Sequence, residues 1–154
     1  MSTVFIAGPF KALVDAESEP RYRELRTTIE ELIDFFNSIS WNVLNAHTRE
    51  QWGAAFLQPN EYTRLDYDQI TSADLVVALP GDPPSPGTHI EIGWASATGI
   101  PLIILLEEHE EYSGMIHGLP TVGRVAIVGF SGSVEEKSLH SAMAELLLAD
   151  PRGV

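Results

Sequence analysis

Cysteine is absent from the 154-residue chain, which excludes disulfides, thiolate metal ligands and a cysteine nucleophile by inventory. Any chemistry must come from oxygen and nitrogen groups. Cations are scarce as well: 9 Lys and Arg stand against 22 Asp and Glu, a formal net charge of −13. Proteins that track nucleic-acid backbones neutralise phosphates with clustered Lys and Arg, so nucleic acid is not an expected partner. An anionic ligand would have to be small, held by backbone N–H groups, hydroxyls and a few local cations. Long apolar runs are missing too. No stretch approaches the roughly 18 to 20 apolar residues of a membrane span, and the opening MSTVFIAG lacks the basic flank and cleavage site of a signal peptide. These absences predict a cytoplasmic protein with no membrane partner.

What is present is a 44% hydrophobic content, enough for one compact core in a chain too short for two ordinary domains. A single domain over residues 1–154 is expected. Val4 and Ile6 lie in a short apolar run that stops at Gly8-Pro9, the pattern of a buried strand ending in a tight turn. From Pro20 to about Ser38, Leu25, Ile29, Leu32, Ile33 and Phe36 recur at helical spacing. Trp41 to Leu44 reads as a strand, and Pro59 to Ser72 as a helix with proline in its first turn. Asp74 to Leu79 is a nearly all-apolar strand that breaks into the proline-rich loop Pro80–Gly87. Thr88 to Thr98 is helical and stops at Gly99. Leu102–Leu106 and Arg124–Val128 read as strands, and Val134–Leu148 as a closing helix. Such alternation predicts an α/β fold: a five-stranded parallel sheet flanked by helices on both faces, Rossmann-like or flavodoxin-like. Ligands in these sheets bind at the carboxyl ends of the strands. That rule selects the loops holding Gly8-Pro9-Phe10-Lys11, Asn45 to Arg49, and Pro80 to Gly87.

Glu91 stands about one turn into a helix among Ile90, Ile92, Trp94 and Ala95. A carboxylate there can simply complement the helix dipole, for about 0.3–1 kcal/mol. A functional reading draws on the adjoining loop, whose Gly81, Gly87, Ser85 and Thr88 offer an open backbone path and hydroxyl donors for a phosphate. Asp66 and Asp68 lie on the preceding helix, where a solvated acidic face is the plain alternative. His47 and Arg49 follow the second strand. The five histidines show no HxxxH or HxH spacing, so neither a metal nor another cofactor is expected.

Together, Val4-Phe5-Ile6-Ala7-Gly8-Pro9-Phe10, the Asp66-x-x-x-Ile70-x-x-Ala73-Asp74 segment and Ser85-Pro86-Gly87-Thr88-His89-Ile90-Glu91-Ile92-Gly93 resemble the nucleoside 2-deoxyribosyltransferase superfamily. Within it the chain is most similar to the nucleoside 5′-monophosphate N-glycosidases. Asn45-Ala46-His47-x-Arg49-Glu50-x-Trp52-Gly53, Arg64-Leu65-Asp66 and Ser85-Pro86-Gly87-Thr88 resemble the CMP and hydroxymethyl-CMP hydrolases of nucleoside-antibiotic pathways. The resemblance implies Glu91 as nucleophile, with Asp66 orienting it. In the transferases an acidic residue sits six positions before the nucleophile; Ser85 here is the pattern of members that bind a 5′-phosphate, which a carboxylate would repel. It further implies that Gly8, Pro9, Phe10 and Lys11 wrap the phosphate, and that Ser113 reaches the neighbouring site across a homodimer interface. Lys11 replaces the arginine of the nearest relatives, giving a point charge in place of a bidentate fork. Phe5 stands where deoxynucleotide-preferring relatives carry tyrosine, which implies a ribonucleotide preference. Trp52, Arg49 and His47 are candidates for the base pocket, with a structural tryptophan as the alternative.

The expected reaction is hydrolysis of the N-glycosidic bond of a pyrimidine nucleotide, in which a carboxylate stabilises positive charge at the anomeric carbon. His47, Arg49 and solvent are the candidate proton sources for the leaving base. A deoxyribosyltransferase would share Glu91 and Asp66 but pass the sugar to a second base, and a noncatalytic module would bind the nucleotide unchanged.

Overall fold

A computed structural model describes residues 1–10 and 19–148. Five parallel strands form one sheet: β1 (Thr3–Ala7), β2 (Asn42–Leu44), β3 (Leu75–Ala78), β4 (Leu102–Glu107) and β5 (Val125–Phe130), ordered β2-β1-β3-β4-β5. The longer helices are α1 (Pro20–Ser38), α3 (Pro59–Ser72), α4 (Pro86–Thr98) and α6 (Glu136–Leu148); α2 (Ala46–Arg49) and α5 (Gly114–Gly118) are single short turns. This is the expected doubly covered α/β sheet in its flavodoxin-like order.

Side chains alternate across each strand, and both faces are covered, which is why the strands read as continuous apolar runs. Val4, Ile6, Val77, Leu79, Ile103 and Leu105 meet residues of α1 and α6, including Phe36 and Leu139. Phe5, Ala7, Val76, Ala78, Ile104 and Leu106 meet Ile70 of α3 and Ile92 of α4 on the other face. The register fixes the site end of the sheet: Phe5 pairs with Val76 and Ala7 with Ala78. β1 and β3 therefore end side by side, with their chains departing to opposite faces, so the crevice opens beyond Ala7 and Ala78. Asp74 has a structural use, its carboxylate accepting the Thr3 N–H at 2.8 Å across the start of these two strands.

Several boundaries differ from those read in the sequence. α4 starts at Pro86, two residues before Thr88, because the Ser85 side chain caps it and proline suits the first helical position. α6 begins at Glu136 in place of Val134, and β5 runs on to Phe130. Gly99 closes α4 in the left-handed conformation (φ 76°) as a C-terminal glycine should. At Gly81 (φ 86°) a Cβ would lie 2.7 Å from the Pro9 ring, so close packing of the β1 and β3 loops requires glycine there. Among the described residues no helix is long and apolar enough to cross a membrane.

Candidate active site

α3 and α4 pack side by side on one face of the sheet, and this brings Glu91 to Asp66. Asp66 is only 7% exposed. Its Oδ1 accepts from Arg49 Nη1 at 2.8 Å, and Arg49 comes from α2, just after β2. The Glu91 carboxyl is partly buried, and burial pushes it up to about 8; the negative charge of Asp66 adds to the rise and Arg49 opposes it. Burial likewise raises Asp66, against the pull of its hydrogen bond to Arg49. These facts weaken the helix-dipole account of Glu91. It lies in the second turn of α4, beyond the first turn where the dipole acts, and a dipole-stabilised carboxylate would titrate low.

The opening of α4 is built from hydroxyls. Ser85 Oγ accepts from the Thr88 N–H at 3.4 Å and from Thr88 Oγ1 at 2.9 Å, and the Ser85 carbonyl accepts from the His89 ring at 2.7 Å. Thr88 is buried, while Gly87 faces open space. Ser85 thus has a capping role that accounts for it without any ligand, one turn from Glu91.

Across the crevice, His47 is 1% exposed and its Nε2–H donates to the Pro9 carbonyl at 3.0 Å. Burial lowers its pKa to about 4, outweighing the Pro9 hydrogen bond and the charge of Glu50. At neutral pH it is an uncharged latch on the β1 loop, and its one ring proton is committed; it is not placed to protonate a leaving base. Phe10 packs edge-on against His47 at 5.3 Å and against Phe56 at 5.9 Å. Trp52 also lies 5.4 Å from His47, with the Arg26 guanidinium 4.2 Å from its ring centroid. The structural use of Trp52 is therefore evident.

Arg49 is committed as well. Its Nη1 and Nη2 groups join Asp66, Gln69 (3.4 Å) and Glu50 (3.1 Å), so it is a fixed countercharge, while its buried Nε–H has no protein partner among the described residues. Phe5 is 1% exposed and covered by core neighbours. Gly8 and Pro9 are buried at the end of β1, and Lys11 lies outside the described residues. Ser113 is exposed and caps α5, accepting the Met115 N–H at 3.2 Å. A cavity of about 700 Å³ opens beside these loops, on the α1 side of the sheet, with Pro9, Gly81, Asp82, Leu105 and Tyr112 in its walls but not Glu91. Among the described residues no group of three His, Asp or Glu side chains is placed to hold a metal.

The sequence assigned no role to Glu50 or Gln69. Glu50 is 2% exposed; it stood in the Asn45–Gly53 motif beside Arg49 but was given no role of its own.

The nucleoside 2-deoxyribosyltransferase family model matches residues 4–143. The solution structure of BlsM is 40% identical, covering 99% of this chain and 96% of that one, with a TM-score of 0.72. The Clostridium botulinum CMP N-glycosidase BcmB is 37% identical, covering 92% of this chain and 98% of its own, at a TM-score of 0.67. A protein from Enterococcus faecalis, 21% identical over 95% of this chain and 99% of its own, shares the fold at a TM-score of 0.60. No curated protein matches. With the family model spanning nearly the whole chain and two such neighbours along almost its full length, this protein belongs to the nucleoside 2-deoxyribosyltransferase family.

Proposed function

We propose that this protein hydrolyses the N-glycosidic bond of a pyrimidine nucleoside 5′-monophosphate, with CMP or hydroxymethyl-CMP favoured, through Glu91 as nucleophile. The observation that carries the reading is the placement of Glu91: one turn beyond a hydroxyl-rich helix start, within electrostatic reach of Asp66 and Arg49. Similarity to a CMP N-glycosidase supports the choice of substrate. The 5′-phosphate would rest between Gly8-Pro9-Phe10-Lys11 and the Ser85-Pro86-Gly87-Thr88 turn, with Ser85 in the position where the transferases carry a carboxylate that would repel it. Ser113 of a second copy would complete that phosphate site.

Bond cleavage builds positive charge on the anomeric carbon and ring oxygen, which a carboxylate beneath the sugar stabilises. Glu91 bonds to the anomeric carbon as the C–N bond breaks, and the bond's electron pair leaves with the base, which takes its proton from solvent. Water then adds to the same carbon, frees ribose 5-phosphate, restores Glu91 and returns its surplus proton to solvent. Because attack needs the carboxylate, the rate rises with pH as Glu91 ionises around 8.

The family model favours a second reading, transfer of a deoxyribosyl group to another base. Incubation with the four NMPs, the four dNMPs and hydroxymethyl-CMP, with and without added free base, separates the readings by chromatography. Free cytosine without an acceptor base is the expected product. A new nucleotide formed only with an acceptor would support transfer, and no product at all would support a binding module. Glu91→Ala is expected to be inactive; hydrolysis at the wild-type rate would overturn the assignment.

A further inference from the structure

Glu50 has no part in the reaction as written, yet its carboxylate is almost wholly buried, a costly state for a charge without fixed partners. Both oxygens are engaged. Oε2 accepts from Arg49 Nη2 at 3.1 Å, and Oε1 accepts the Leu57 N–H at 3.1 Å. The Glu50 carbonyl also accepts the N–H groups of Gly53 and Ala55 at 3.0 and 3.1 Å. Between these anchors Gln51 (φ 50°), Trp52 (φ 52°) and Gly53 (φ 96°) run consecutively through the left-handed region. Two of the three are not glycine, and the Cβ of each disfavours that conformation. A strained turn persists only where its surroundings over-determine it, and here the surroundings converge on Glu50.

The other end of the same guanidinium holds Asp66, so a continuous chain runs from the Leu57 N–H through Glu50 and Arg49 to Asp66, beside Glu91. We propose that Glu50 is a positioning residue: it clamps Arg49 in the orientation that holds Asp66 beside Glu91, and its charge helps set the electrostatic balance of that pair. This inference rests on the reading of Glu91 as nucleophile. The charged groups bearing on Glu91 are Asp66 from α3 and Arg49 from α2. Those around Glu50 are Arg49, Asp66 and the uncharged His47, with Arg26 of α1 over the neighbouring Trp52. Without Glu50's charge, the full cationic field of Arg49 falls on the two carboxyls and favours their ionised forms.

The test combines carbon-13 NMR titration of the Glu91 carboxyl with kinetics on CMP, for wild type, Glu50→Gln and Glu50→Asp. In Glu50→Gln the Glu91 midpoint should fall by about half to one pH unit. The midpoint of the rate-against-pH curve should fall with it, while kcat drops about tenfold and KM changes less than threefold. Glu50→Asp keeps the charge but shortens the tether, so Glu91 should titrate as in wild type while kcat still drops. An unmoved Glu91 midpoint in Glu50→Gln would overturn the proposal. Should that variant fail to fold, wild-type kcat in Glu50→Asp would overturn it instead. The titration needs no turnover, so it judges the clamp even if Glu91→Ala proves active and the proposed reaction fails.

Discussion

Replacing Glu91 by glutamine should abolish hydrolysis and, above neutral pH, make the protein more stable. Glutamine fills the same volume but never ionises. In the wild type burial raises the carboxyl from its ordinary 4.5 to about 8, so between these values the folded state holds a proton that the unfolded chain has lost. Folding then binds protons, and stability falls as pH climbs through that window. The penalty is absent below about 4.5 and complete above about 8. Each pH unit is worth about 1.4 kcal/mol, and solvent screening at a partly exposed carboxyl reduces the total to about 2 kcal/mol. For a chain of this size that is about 4–8 °C in Tm. Urea denaturation of both proteins at a series of pH values should show coincident curves in acid and a growing advantage for Glu91→Gln toward pH 9. A gap independent of pH, or one favouring the wild type in base, would refute the argument that Glu91 is forced into a site that resists its charge.

Ser85→Ala removes the cap of α4 and should cost about 1 kcal/mol of stability; it should also raise KM for CMP about tenfold with little change in kcat, which Ser85→Thr restores. An unchanged KM, with the melt shifted as expected, would leave Ser85 as a cap alone. Ser113→Ala should weaken CMP binding in the same manner, and mixing it with inactive Glu91→Ala should recover activity, since one site of each mixed dimer then holds both native residues. Failure of the mixture to recover would show that each chain completes its own site.

The fold was legible because its signals are long. Runs such as Leu75–Ala78 and Leu102–Leu106, alternating with α1 and α3, specify parallel strands covered on both faces, and every strand forms near where it was expected. Helix ends were less so: Ser85 caps by accepting the Thr88 backbone N–H, a local contact that no periodicity reveals. α2, at four residues, is too short for a repeating pattern. The turn at Gln51 and Trp52 was invisible for a different reason, since neither residue type favours positive φ and only the tertiary anchors hold it there. Glu91 and Asp66 were nameable as site candidates by resemblance, but the charge partner of Asp66 was not. Arg49 and His47 were expected to face a substrate; what the sequence did not show is that each also holds protein, one carboxylates and the other the Pro9 carbonyl.

The two hydrogen bonds that Ser85 Oγ accepts have a directional consequence. A hydroxyl oxygen has two lone pairs and one proton. Both lone pairs are spoken for by Thr88, so the group can offer a newcomer only its proton. The mouth of α4 thus presents a one-way contact that welcomes an oxygen rich in electrons and gives nothing to an N–H or a hydroxyl proton. A phosphoryl group, all acceptor, satisfies that polarity fully. A bare 5′-hydroxyl would have to turn its own proton elsewhere to do so.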